Sequence, residues 1–149
     1  MLKILMVSFI YIISTVTCWA SNCVESASSK GQECSDEYFQ ANDVNELSEY
    51  LENGKFKDGK LLNLQLNFNV VMREVNITSG CNIKISKGRN IHSTMNGICL
   101  KGKNIYLEGG NNLFADMKSP VNLNSDESLI LVKSNLRTKG NIHLEVPQV

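Results

Sequence analysis

The chain has 149 residues, with 15 lysines and arginines balancing 15 aspartates and glutamates, and 42% of it is hydrophobic. That length and apolar content suit one domain with its own core, and the balanced charge argues against a nucleic-acid binder, whose footprint is a concentrated basic surface. The balance is uneven along the chain: 21–54 carries eight acidic residues against Lys30 alone, while 55–149 carries thirteen basic against seven acidic. An acidic lead-in of this kind either stays solvated or folds back over the basic body, which would otherwise attract an anionic partner.

The first twenty residues read as a leader. Lys3 precedes an apolar run from Ile4 to Ile13, and small or polar residues lead to Cys18-Trp19-Ala20. This is the pattern of a secretory signal peptide cut after Ala20, and the apolar run is shorter than the ~20 residues that span a bilayer. The mature chain would then be secreted or lie at the cell surface or in the periplasm, with no membrane span. It keeps Cys23, Cys34, Cys81 and Cys99. Four cysteines in an exported chain favour two disulfides, with three connectivities open. No C-x-x-C occurs, and His92 and His143 lie far apart in sequence, so zinc-site spacing is absent.

Residues 21–42 are polar, without apolar periodicity, and read as a loop. Asp43–Asn53 is the one convincing helix. Asp43 caps its start, Glu46 completes a capping box, and Gly54 suits a left-handed stop. Val44, Leu47, Tyr50 and Leu51 share a face that requires something to pack on. After a charged turn at 55–60 the period drops to two. Leu62, Leu64, Leu66 and Phe68 alternate with Asn63, Gln65, Asn67 and Asn69, the mark of a half-buried strand.

From Cys81 onward a short phrase recurs. Asn104-Ile105-Tyr106-Leu107-Glu108 returns as Asn141-Ile142-His143-Leu144-Glu145, with weaker copies at Asn82–Ser86 and Asn122–Asp126. Strand-like pieces this short, repeated about every 20 residues, suit a chain wound in coils, strand stacked on strand. The expected architecture is mainly β: a short right-handed parallel β-helix with one N-terminal capping α-helix. The division is leader 1–20, acidic lead-in 21–42, and helix plus β-helix 43–149. In this register Ile83/Ile85, Ile105/Leu107, Val121/Leu123 and Ile142/Leu144 point inward as aliphatic columns, and Asn82, Asn104, Asn122 and Asn141 form an outward ladder. Cys81 and Cys99 are close to one repeat apart, which predicts Cys81–Cys99 and Cys23–Cys34 bridges. Only Val146-Pro147-Gln148-Val149 follow the last phrase. The final coil is therefore expected to expose Ile142, Leu144 and Val146, and to invite self-association or a further stretch of β-helix.

In the helix followed by coils at 61–149, the chain resembles the right-handed parallel β-helix proteins, the pectin-lyase-like superfamily. That superfamily includes polysaccharide lyases and hydrolases as well as surface adhesins and secreted passenger domains. The resemblance implies either an exported, non-catalytic, adhesin-like interaction module that binds a polysaccharide or surface protein, or an inactive or truncated relative of a polysaccharide lyase or glycoside hydrolase. Lyases of this kind hold calcium on carboxylates of one coil face. The repeat register puts Glu108, Asp126 and Glu145 in one outward column with Ser86, as a calcium site or as acids splayed into water. His143 would stand beside Tyr106 and Asn124. No nucleophile elbow, P-loop or H-E-x-x-H occurs, and neither histidine has a sequence partner, so no catalytic or cofactor-binding residue is named. The tyrosines, Tyr38, Tyr50 and Tyr106 of the mature chain, are expected mostly at core or cap positions, which weakens a sugar-binding reading. Asn76-Ile77-Thr78 is a glycosylation sequon.

Overall fold

The computed structural model describes Cys23, Val24 and residues 33–147, so the expected leader and part of the lead-in fall outside the described residues. The elements are β1 (Cys34–Ala41), α1 (Val44–Asn53), β2 (Phe56–Lys57), β3 (Lys60–Leu66), β4 (Val70–Thr78), β5 (Ile83–Ile85), β6 (Ile91–Leu107), β7 (Asn112–Ala115), β8 (Val121–Leu131), β9 (Asn135–Thr138) and β10 (Ile142–Glu145). Apart from the small antiparallel β2–β3 pair, the strands pair in parallel and wind a β-solenoid of about five turns.

The solenoid has three walls: β4 and β8 each bend at one corner and β6 at two. The first wall stacks Leu64, Ile83, Ile105 and Leu129 in successive coils. The second stacks Val70, Ile91, Leu113 and Leu136. The third stacks Val75, Ile98, Val121 and Ile142. Alternation sends every second side chain inward, where Leu64, Leu66, Ile83, Ile85, Ile91, Ile98, Ile105, Leu107, Leu113 and Leu123 are buried in one continuous core.

The three walls correct the expected register. Ile83/Ile85 and Ile105/Leu107 do share the first wall, but Val121/Leu123 and Ile142/Leu144 stack on the third. Each wall carries its own polar-apolar phrase, and the 18 residues from Asn104 to Asn122 carry the chain from the first wall onto the third. The asparagine ladder is real but has other members. On the first wall Asn104 Nδ2 donates to Asn82 Oδ1 at 3.0 Å, and the Asn82 backbone N–H donates to Asn63 Oδ1 at 2.8 Å. A second ladder runs up the second wall, where Asn135 Nδ2 donates to Asn112 Oδ1 at 3.0 Å and Asn112 Nδ2 to Asn90 Oδ1 at 3.2 Å. Asn122 stacks between Cys99 and His143 on the third wall instead, and Asn141 falls two residues short of that row. Corners are tight: a Cβ on Gly97, at φ 103°, would lie 2.5 Å from the Pro120 carbonyl oxygen.

Helix α1 forms as its sequence dictates. The Glu46 N–H donates to the Asp43 side chain at 2.8 Å, and the Asn42 N–H donates to Glu46 Oε1 at 2.7 Å, so the box closes one residue early. Gly54, at φ 73°, donates its N–H to the Tyr50 carbonyl. The helix packs against β1 and β4. Leu47 and Tyr50 are buried, and the Tyr50 hydroxyl bonds the Leu62 carbonyl and Ser79 Oγ, each at 2.7 Å. The stretch before it is not a loop. β1 pairs in parallel with β3, so the solenoid begins before the helix rather than after it. Its polar sequence hides the strand, whose place is fixed by backbone pairing and by Phe39 and Ala41.

The disulfides join Cys34 to Cys81, with Cα atoms 5.7 Å apart, and Cys23 to Cys99, at 5.4 Å. The predicted Cys81–Cys99 and Cys23–Cys34 pairing is thus wrong. Cys81 leads into the first wall, while Cys99 lies on the third wall between Asn76 and Asn122. A gap of 18 residues here turns two corners of the coil and stops short of completing it. The Cys23 bridge pins Cys23 and Val24 on the third wall, where the Val24 N–H donates to Asn76 Oδ1 and Thr78 Oγ1 donates to the Val24 carbonyl, each at 3.2 Å.

Candidate functional site

With the core filled by aliphatics, the chemistry of this molecule lies in its outward columns. On the first wall the column runs Gln65, Lys84, Tyr106, Ile130. Tyr38, on β1, reaches this column: Lys84 Nζ stands 4.2 Å from its ring centroid, and Asn82 Nδ2 donates weakly to its hydroxyl at 3.5 Å. Burial pushes the Tyr38 hydroxyl pKa up, and Tyr106 and Glu108 add to this against the Asn82 hydrogen bond. Lys84 Nζ lies 3.8 Å from Glu108, both side chains partly exposed. Tyr38, Lys84, Tyr106 and Glu108, with Leu107, Ile130 and Val132, line an open cleft of about 420 Å³.

On the second wall the outward column is Val71, His92, Phe114, Arg137. His92, from the preceding coil, tilts on Phe114 with centroids 4.9 Å apart, and the Arg137 guanidinium of the next coil stands 4.7 Å over the same ring. His92 Nε2 is 2.9 Å from Asp116 Oδ2, so this histidine has an orienting carboxylate one coil on. A cleft of about 390 Å³ beside it is lined by Phe114, Asp116, Met117, Arg137 and Lys139, among others.

The third wall carries a polar groove of about 330 Å³ lined in part by Glu74, Asn76, Asn96, Lys118, Pro120 and Asn141. The sequon falls here. Asn76 Nδ2, the atom a glycan would take, donates to Glu74 Oε2 at 2.9 Å, while its Oδ1 holds the strapped Val24. In the folded chain this sequon is occupied by the protein itself.

The expected calcium column does not assemble. Glu108 follows the first-wall row that pairs Leu107 with Leu131, whereas Glu145 pairs with Asn124 on the third wall and Asp126 follows Ser125 at the end of that same wall. Glu108 pairs with Lys84, and Ser86 bonds Asn67 and Gln65. Among the described residues no group of three or more His, Cys, Asp or Glu is placed to hold a metal ion. His143, expected beside Tyr106, pairs instead with Asn122 and contacts Glu145 at 3.4 Å. The acids and the histidine were misplaced for one reason, the reading of a three-walled coil as a single wall.

The Tyr38–Lys84–Tyr106–Glu108 cluster was not read from the sequence as a site. Lys84 and Tyr106 occupy the middle position of the phrases Asn82–Ser86 and Asn104–Glu108, so their stacking was available. Tyr38 gives no such signal, because the polar sequence of β1 lacks a clear apolar alternation. On the last described coil Ile142, Leu144 and Val146 are each nearly half exposed, as expected. Comparison with known proteins finds no matching family model, no similar curated protein and no matching solved structure.

Proposed function

We propose that the protein is an exported, non-catalytic interaction module, an adhesin-like β-solenoid that works outside the cytoplasm on a polysaccharide or surface protein. The observation that carries this reading is the first-wall cluster, two tyrosines and a lysine–glutamate pair on a stacked, ladder-braced wall. Side chains fixed at the strand spacing of about 4.8 Å form a rigid, extended surface that needs little reordering to bind. Two disulfides suit an oxidising compartment, and no helix among the described residues is long and apolar enough to cross a membrane. The exposed aliphatics of the last described coil suit a second copy or a further stretch of β-helix as an additional partner.

A second reading, an inactive or truncated relative of a polysaccharide lyase or glycoside hydrolase, draws on the His92–Asp116 pair beside Arg137. A panel of polysaccharides incubated with the mature protein tests the non-catalytic claim that both readings of an inactive chain share. Retention of a polysaccharide without new reducing ends or unsaturated products supports the module. Product formation that disappears in His92→Ala would overturn it in favour of an active, truncated relative of those enzymes.

A further inference from the structure

We infer that the first-wall cleft is a subsite for one pyranose ring of a neutral glycan, stacked on Tyr106 and bracketed by Lys84 and Glu108; this deepens, and rests on, the interaction-module reading above. Tyr106 stands in the outward column between Lys84 and Ile130. Among the described residues no other ring or cation is stacked on it, whereas Tyr38 carries Lys84 and Phe114 carries Arg137. A pyranose offers a C–H face to such a ring and hydroxyls at its rim.

The rim partners are in place. Lys84 Nζ and the Glu108 carboxylate are 3.8 Å apart, a donor beside an acceptor at a spacing looser than a direct hydrogen bond. Adjacent sugar hydroxyls can accept from the ammonium and donate to the carboxylate, and partial burial makes those bonds count for more than on open surface. The pair carries no net charge. A uronate drawn to the Lys84 ammonium meets the Glu108 carboxylate 3.8 Å away, and an amino sugar meets the reverse, so neither sign of charge is favoured and an uncharged ring fits without repulsion. Ile130 and Val132, both more than two-fifths exposed, supply apolar area for the ligand to cover. The volume, about 420 Å³, lies within the range of small-ligand sites, and the open side leaves room for the rest of a glycan chain.

The test is an NMR titration of isotope-labelled mature protein with neutral gluco-, manno- and galacto-oligosaccharides, and with oligogalacturonate as the acidic arm. At least one neutral series is expected to give saturable shifts at Lys84, Tyr106 and Ile130. Binding should be about tenfold weaker in Tyr106→Ala and Lys84→Met, retained in Tyr106→Phe, and unchanged in Val71→Ala on the second wall. The wild-type shift map is decisive even if a variant folds poorly. Tighter binding of oligogalacturonate than of every neutral series, or no shifts at these three residues, would overturn the subsite. Saturable shifts confined to another wall would do so while leaving the interaction-module reading intact. Shortened oligosaccharides, recovered alongside shifts at Tyr106, would sink the non-catalytic reading and leave the subsite standing.

Discussion

Tyr50 shows what a single residue contributes at the join between helix and solenoid. Its ring stacks on Phe39, with centroids 6.0 Å apart, and its fully buried hydroxyl serves the Leu62 carbonyl and Ser79. Burial pushes its pKa up to about 12 from the ordinary 10.0, with the Ser79 hydrogen bond opposing in part. Below pH 10 the folded and unfolded chains both hold the proton, and this group adds no pH dependence. Between about pH 10 and 12 the unfolded chain releases it first, so stability should fall by roughly 1.4 kcal/mol per pH unit. Denaturant melts across that range, with ultraviolet titration of tyrosinate, measure this. Tyr50→Phe should remove that slope and, by leaving the Leu62 carbonyl and Ser79 without the hydroxyl, cost about 1–3 kcal/mol at neutral pH. The apolar face that holds Tyr50 was legible in the helical spacing. Its hydroxyl partners were not, since Leu62 and Ser79 lie on other elements and nothing local announces them.

Among the elements, α1 was readable from its own residues because caps and amphipathic spacing are local signals. Leu47 is buried against the solenoid, so Leu47→Asp should cost roughly 2–5 kcal/mol, read as a fall in the unfolding midpoint. An unchanged midpoint would mean that the helix lends the coils no support. The strands of the repeat region were equally visible through their period of two. Their assignment to walls was not, because that depends on how many residues each corner consumes. First-wall rows at Leu64, Ile83, Ile105 and Leu129 are 19, 22 and 24 residues apart, a drift that no fixed repeat captures. The cysteine pairing, the acid column and the place of His143 all inherited that one error. The first-wall ladder of Asn82 and Asn104 escaped it because both belong to the same wall.

For the whole molecule, the disulfides tie the lead-in and first strand to coils far along the chain. Cys23–Cys99 closes a loop spanning 76 residues, and removing such a link by Cys23→Ser with Cys99→Ser should cost about 4 kcal/mol through the freedom restored to the unfolded chain. Thermal melts of the double variant under non-reducing conditions test this, and an unaltered midpoint would show the strap to be energetically idle. The sequence disclosed that the fold winds in coils and that its cysteines are paired, but which cysteines meet is a property of the finished winding.

Both bridges engage residues no later than Cys99, and α1 packs at the same end of the stack, while β9 and β10 follow without covalent anchorage. In a molecule where each coil leans only on its neighbours, such lopsided bracing makes loss of structure directional. Among the described coils, amide exchange should be fastest in β9 and β10, beyond the bridges, and slowest in β3, β5 and the centre of β6. Uniform exchange along the stack would contradict this. A solenoid clamped at one end behaves like a zipper with a single stop: heat, force or a protease can shorten it from the far end while the braced coils, Tyr38 and Lys84 among them, stay wound.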